Sequence, residues 1–526
     1  MLALEIVVIL GVAVLVSSVA ARRWRVVPPV LLLAVGSLLG LLPALRGVGL
    51  PPEAVLLLFL PALLYWESLT TSLREIRTNL RVIVLLSTVL VIATAAAVAA
   101  VAHALGLAWG PAWVLGAAVA PTDATAVAVL ARLLPRRIVT ILRAESLVND
   151  GTALVIYGLA VGITVGEEHL GGLHVTWLFV LAYGGGALAG LAVAGLAVLA
   201  RRHLREPTHE NVVSVLTPFS AFLLAELAHA SGVVAVVVAG LALSQLGPRV
   251  IGAETRQQAQ GFWTLTTFLL NGALFVLVGL QLPASVRELT SVGLTRALVA
   301  VALISATVIG TRFAWNFTTP YLLRALDRRP QQRLRRVPAR TRVVSATAGF
   351  RGAVSLAAAL AVPETLRTGA PFPARDTIIF VVSGVIVVTL VAQGLALPAV
   401  LRWARLPADT SVERERRLAE TAATEEALAA LPEVAARLGV AGEPLERIRA
   451  EYEEHLQLLR AQEGTEDERV RHAADYAALR LELLGRKRAT LLRLRHERRI
   501  DDVVLRQIQA RLDIEEVRLA RREPVE

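Results

Sequence analysis

The chain has 526 residues, no cysteine, 55 % hydrophobic residues and a formal net charge of +11, with a mean hydropathy of +0.60. A soluble chain of this length would divide into several domains with more surface charge, so the composition excludes an ordinary soluble enzyme and points to a polytopic helical membrane protein. Disulfide and thiolate chemistry are absent, and the one lysine, Lys487, lies outside any glycine-rich loop, which excludes a P-loop.

Apolar runs predict thirteen membrane spans, at about 2–20, 26–45, 51–68, 82–104, 111–131, 140–163, 174–200, 211–229, 232–247, 262–281, 293–320, 343–362 and 376–402. The first run has no basic region before it and no small-residue cleavage site ahead of Arg22, so it reads as a span and not as a cleaved signal. Arginine follows every odd span: Arg22, Arg23 and Arg25; Arg74, Arg77 and Arg81; Arg132, Arg136, Arg137 and Arg143; Arg201, Arg202 and Arg205; Arg249 and Arg256; then Arg324 to Arg342. The intervening loops are short and nearly neutral, or acidic as at Glu167-Glu168. This bias places the N-terminus outside and the C-terminal tail in the cytoplasm of a multi-pass protein expected in the cell inner (cytoplasmic) membrane. The excess of positive charge is then loop bias and calls for no nucleic-acid partner.

Two spans are interrupted. Span five carries Ala120-Pro121-Thr122-Asp123-Ala124, where Pro121 removes a helical donor. Span twelve carries Gly349-Phe350-Arg351-Gly352, where two glycines tolerate unwound backbone. Broken backbone at membrane depth survives only inside protein or along a cavity, and two breaks seven spans apart fit an inverted repeat of spans 1–6 and 8–13. After Arg402 the composition changes, giving a membrane domain at 1–405 and a helical tail at 406–526. Leu445, Ile448, Tyr452, Leu456 and Leu459 mark one amphipathic helix of that tail. Leu491, Ile500, Leu505, Ile508 and Leu512 lie in a second stretch, from about Arg471 to Arg521, and Gly439 to Pro444 form a turn. Its mixed charges read as a solvated face.

Span six contains Glu145-Ser146-Leu147-Val148-Asn149-Asp150-Gly151. Ser146 and Asp150 stack at i,i+4, as do Glu145 and Asn149, so four polar side chains share one helix wall about 15 Å into the bilayer. Ionisable groups at that depth are costly, and they mark an ion or proton pathway; the plainer alternative is a buried ion pair that fixes helix packing. Asp150, Ser146, Thr122, Asp123 and freed carbonyls at the span-five break make an oxygen-rich site suited to a hard monovalent cation. No His/Cys cluster points to a transition metal, and His209-Glu210 lacks the second histidine of a metalloprotease helix. Burial favours the protonated form of Asp150 and a bound cation favours the ionised form. A carboxylate that holds one or the other couples the two flows, one for one. Asn149 cannot titrate and adds no charge to the cycle. Arg312, inside span eleven, needs a buried anion, and Glu145 is the natural candidate. Arg351 is placed to neutralise half-helix C-termini. Glu67 either lines the cation path or reaches to the interface near Arg74.

These residues carry a family resemblance. Glu145-Ser146-Leu147-Val148-Asn149-Asp150 resembles the ExxxND motif of cation:proton antiporter family 1, the sodium/proton exchangers. Pro121-Thr122-Asp123 resembles its TDP break, Gly349-Phe350-Arg351-Gly352-Ala353 its G-[LF]-R-G-[AG] break, and Ala225-Glu226 with Ser231-Gly232 its AExxxxSG helix. The likeness spans about residues 1–405, with Ala124 standing where the family has Pro. It implies a thirteen-span homodimer with a core domain that moves like an elevator, and no cofactor beyond the transported Na⁺, K⁺ or Li⁺ and H⁺. It implies Asp150 as the shared carrier, a Na⁺ site at Asp150, Ser146, the Thr122 carbonyl and Glu67 with Asp123 contributing directly or through water, Asn149 as a structural neighbour, and a Glu145–Arg312 pair. Glu226 and His229, at i,i+3, either modulate the pH response or form a packing pair. An electroneutral Na⁺/H⁺ exchanger is the leading expectation. K⁺/H⁺ exchange is its rival within the class, since ligand type alone does not set cavity size. From other classes, the rivals are a non-transporting cation sensor that signals through the tail and, more distantly, a membrane-embedded hydrolase.

Overall fold

A computed structural model describes residues 2–24, 27–45, 52–123, 134–166, 172–204, 206–326, 337–406, 409–460, 468–497, 499 and 501–520. Within them the regular secondary structure is helical, apart from one isolated bridge between Thr365 and Pro371. It divides into two compact units, Met1–Asp409 and Thr410–Glu526. The second half of predicted span five with Ala124, the Glu167-Glu168 loop and the basic cluster at 327–336 lie outside the described residues.

The helices of the first unit, in order, are α1 (Leu2–Trp24), α2 (Pro28–Leu39), α3 (Pro52–Thr70), α4 (Leu73–Ala104), α5 (Trp109–Val119), α6 (Arg136–Val165), α7 (Gly172–His203), α8 (Pro207–Leu227), α9 (Gly232–Val250), α10 (Ala253–Arg287), α11 (Leu294–Leu326), α12 (Ala339–Thr347), α13 (Ala353–Leu360) and α14 (Arg375–Ala404). Among the described residues ten are long and apolar enough to cross a membrane; α2 and α5 are shorter apolar helices, and α12 and α13 are the two halves of predicted span twelve. Large apolar side chains such as Leu4, Val8, Leu15, Leu188, Leu196 and Leu223 are exposed, the inverse of a soluble surface and the expected finish for a lipid-facing one. The chain is a multi-pass membrane protein.

Where they are described, the thirteen predicted apolar runs fall mainly on helix, interrupted at 121–123 in span five and at 349–352 in span twelve, but α4 begins nine residues before its predicted span. Arg74, Arg77 and Arg81, read above as loop, form its amphipathic first turns. Ser72 caps them by accepting from the Glu75 N–H (3.3 Å), and Glu75 in turn pairs with Arg136 and takes a hydrogen bond from Thr140 on α6. A wider π turn interrupts three helices, at Val55–Phe59, Leu85–Val89 and Thr389–Gln393. Nothing in the apolar periodicity announces these turns.

Helices α4, α5, α6 and α11 to α14 pack mainly on one another, and so do α1 to α3 with α7 to α10. In the second set α2 lies against α10 at backbone distance: a Cβ on Gly36 would meet the Val276 carbonyl, and one on Gly279 would meet the Leu33 carbonyl and the Ser37 nitrogen. Small residues permit this approach where lipid provides no hydrophobic drive between helices. The second unit holds α15 (Ser411–Leu438), α16 (Glu443–Arg460), α17 (Glu468–His496) and α18 (Asp502–Ala520). Gly439 takes a left-handed conformation (φ 67°) at the turn between α15 and α16. Leu484, Leu512 and Leu519 form a small core in the α17–α18 pair, beside the Arg480–Glu515 and Arg488–Asp513 ion pairs.

Replacing Gly279 by Ala should force α2 and α10 apart at a cost of about 1–3 kcal/mol, read as a lower melting temperature in detergent. Gly158→Ala on α6, where an added Cβ meets nothing within 4 Å, should leave that temperature unchanged or raise it.

Candidate functional site

Four of the predicted residues share α6, which runs unbroken for 30 residues with Asp150 at its middle. Glu145, Ser146, Asn149 and Asp150 are all buried on its inner wall. Facing them, the backbone at Pro121, Thr122 and Asp123 leaves α5 in irregular conformation, and residues 349–352 separate α12 from α13. The two irregular stretches meet. The Asp123 N–H donates to the Phe350 carbonyl (2.9 Å), and a Cβ on Gly352 would overlap the Asp123 carboxylate. Gly349 is equally obligatory, because a Cβ there would overlap the Arg312 side chain.

The charges at this crossing are matched in two ways. Arg351, 1 % exposed, donates Nε to the Val119 carbonyl (3.0 Å) at the end of α5, Nη1 to the Gly349 carbonyl just past α12, and Nη2 to the Ala120 carbonyl (3.5 Å). A guanidinium thus takes up the negative ends of two half-helices. The Asp123 carboxylate lies against Gly352, at the positive end of α13. Arg312 pairs with Glu145 through both terminal nitrogens, Nη2–Oε2 at 3.0 Å, both side chains being 2 % exposed, while its Nε donates to the Ser345 carbonyl (3.3 Å). A hydrogen-bond chain continues from that pair: the Thr122 hydroxyl donates to Glu145 Oε1 (3.3 Å), and Asn149 Nδ2 donates to Thr122 Oγ1 (2.7 Å).

A cavity of about 60 Å³ opens beside this network, room for a few waters or one partly dehydrated ion. Glu67 from α3, Thr122 and Asp123 from the break, and Ser146 and Asp150 from α6 all line it. Asp150 is 5 % exposed and makes no hydrogen bond or ion pair to another described residue; its electrostatic neighbours are the Asp123 and Glu67 carboxylates. Three carboxylates around one low-dielectric space repel one another when all are ionised, and a cation or a proton relieves that repulsion. Glu226 and His229 sit elsewhere. Both are exposed at the α8–α9 turn, where Glu226 accepts from the Gly232 N–H (3.3 Å) and His229 has a φ of 52°.

Two polar cavity residues escape the sequence reading. Asn271, on α10, is an amide in the middle of the apolar stretch from Phe268 to Leu280, a signal that was there to find. Ser355, in the first turn of α13, looked like one small residue among alanines.

A membrane-spanning helical protein with a carboxylate-lined cavity at the meeting of two interrupted helices belongs to the class of secondary transporters. A family model described as sodium/hydrogen exchanger, transmembrane, matches residues 9–403. An uncharacterized Na⁺/H⁺ exchanger of Mycobacterium tuberculosis is 50 % identical over 521 residues, covering 98 % of this chain and 96 % of its own. The sodium, potassium, lithium and rubidium/H⁺ antiporter of Bacillus subtilis is 29 % identical over 412 residues, 75 % of this chain and 60 % of its own. Among solved structures, the sodium proton antiporter MjNhaP1 from Methanocaldococcus jannaschii shares the fold with a TM-score of 0.57 at 20 % identity, over 77 % of this chain and 98 % of that one. The chain belongs to the sodium/hydrogen exchanger family, whose members are cation/proton antiporters and not enzymes.

Arg312→Ala should cost about 3–5 kcal/mol by leaving Glu145 buried and unpaired. The double substitution Glu145→Leu with Arg312→Leu should recover much of that loss, as read from melting temperatures of the purified protein.

Proposed function

We propose that the protein is an electroneutral Na⁺/H⁺ antiporter in which Asp150 carries one cation or one proton, never both, across a cycle of alternating access. One observation carries the reading: Asp150 is buried in the cavity without a basic partner, while Arg312 is held by Glu145 and Arg351 by backbone carbonyls. The remaining assignments follow from what is already spoken for. The Thr122 hydroxyl both accepts and donates within the structural network, whereas its carbonyl accepts only a long bond from Asn149 Nδ2 (3.4 Å) and keeps a lone pair to offer a cation. Ser146, Asp150 and Glu67 supply the other ligands, and Asp123 contributes directly or through water while it offsets the positive end of α13. Asn149 holds the α5 break to α6 and adds no titrating group, so the exchange stays one for one.

The same reading places 1–405 in the cytoplasmic membrane as a homodimer whose core domain moves, with residues 406–526 as a cytoplasmic tail; the positive charge after odd spans supports that orientation. A wider cation range, K⁺ included, is the second reading, favoured by the name of the Bacillus subtilis relative.

Everted vesicles carrying the protein should collapse a pH gradient on addition of NaCl, and Asp150→Asn should abolish the response; an unchanged response in that variant ends the proposal. Substituting KCl and LiCl ranks the cations. Because proton and cation compete for one carboxylate, the Na⁺ concentration giving half-maximal rate should fall about tenfold per pH unit while Asp150 is mostly protonated, and level off once it is mostly ionised. A protein that binds Na⁺ but moves none in proteoliposomes would instead be a sensor.

A further inference from the structure

Ser355 is 1 % exposed and its hydroxyl has no hydrogen-bond partner. A serine or threonine inside a helix normally disposes of its hydroxyl on the carbonyl four residues back, as Thr94, Thr217, Thr347 and Thr389 do at 2.6–2.8 Å. For Ser355 that carbonyl belongs to Arg351, which lies in the interrupted stretch before α13 begins, so the usual acceptor is out of register. Four other buried serine hydroxyls, those of Ser17, Ser87, Ser305 and Ser383, also lack partners, but among these five it is Ser355 that lines the cavity with Asp150.

We propose that Ser355 Oγ is a ligand of the transported cation, supplied by the second interrupted helix, and that it sets affinity for the cation without altering affinity for the proton. The inference rests on the exchange reading above. A proton needs a single carboxylate oxygen, whereas a hard cation that sheds water must regain several oxygens at once. A hydroxyl supplies such an oxygen and does not titrate, so it leaves the charge of the cycle untouched. With Ser355 included, α3, the α5 break, α6 and α13 each contribute an oxygen to the same small space.

Ser355→Ala, reconstituted in proteoliposomes, should raise the KM for Na⁺ about tenfold, the cost expected for one lost polar contact to a charged group, with the maximal rate within about twofold of wild type. The Na⁺-induced rise in melting temperature should shrink in parallel. Ser383→Ala, which removes a buried unpartnered hydroxyl that does not line the cavity, should change neither quantity. A Ser355→Ala protein whose KM and Na⁺-induced stabilisation match wild type overturns the assignment, as do equal shifts in both variants, which would make the effect one of packing. If wild type exchanges no cation for protons, the exchange reading itself has failed; if wild type exchanges and Ser355→Ala matches it, only the role of Ser355 has.

Discussion

A buried charge must be paired, hydrogen-bonded or neutralised, and in this protein the buried arginines Arg312 and Arg351 are satisfied without recourse to Asp150. Arg312 has Glu145, held at both terminal guanidinium nitrogens, and Arg351 has the carbonyls of Val119 at the end of α5 and of Gly349 just past α12. Had either turned to Asp150, the cavity would contain a permanent ion pair, and the proposed carrier would have nothing to exchange. Glu145 therefore does its work by being unavailable. It consumes a positive charge, anchors the Thr122 hydroxyl, and through Asn149 ties the break in α5 to the wall of α6.

That arrangement requires both interruptions. A continuous helix would present the cavity with a cylinder whose carbonyls are already bonded internally, leaving neither a free carbonyl for a cation nor a half-helix terminus for Arg351 and Asp123 to meet. Bringing the two irregular stretches close enough for Asp123 N–H to reach the Phe350 carbonyl demands the absence of side chains at Gly349 and Gly352, since each faces another residue's charged group. The glycines are thus fixed by space as much as by backbone freedom.

Much of this was legible beforehand for a physical reason: in lipid, hydropathy records spans directly, and a charged residue inside one stands out against a uniform background. Asp150, Glu145, Arg312 and Arg351 were visible on those grounds, as were the breaks at Pro121 and Gly349. Less could be read where the deciding fact was a register and not a residue type. The basic start of α4 resembled a loop because its apolar face is narrow and its capping pair, Ser72 and Glu75, is short-range. The π turns leave no periodic trace. Ser355 was lost among alanines because what distinguishes it is a hydroxyl without a partner, which only the fold reveals. Glu226 and His229 drew attention as titratable neighbours, yet their place at an exposed turn follows from where α8 ends.

The lining of the cavity divides between the two sets of helices. Glu67 and Asn271 come from α3 and α10, and Thr122, Asp123, Ser146, Asp150 and Ser355 from the set containing α5, α6 and α13. In the proposed cycle this division has a consequence. If the set containing α5, α6 and α13 moves as a body against the set containing α3 and α10, Asp150 keeps its serine, its threonine carbonyl and its hydroxyl from α13 throughout, and only the contacts from α3 and α10 are made and broken. The cation would then travel with most of its shell intact, and the helices left behind would supply what differs between the two sides: a carboxylate at Glu67 and an amide at Asn271, each an oxygen that a moving site can leave without leaving Asp150 bare. Coupling would reside in the moving set and access in the other, so a change on α3 or α10 should alter how fast the site opens more than what it prefers to hold.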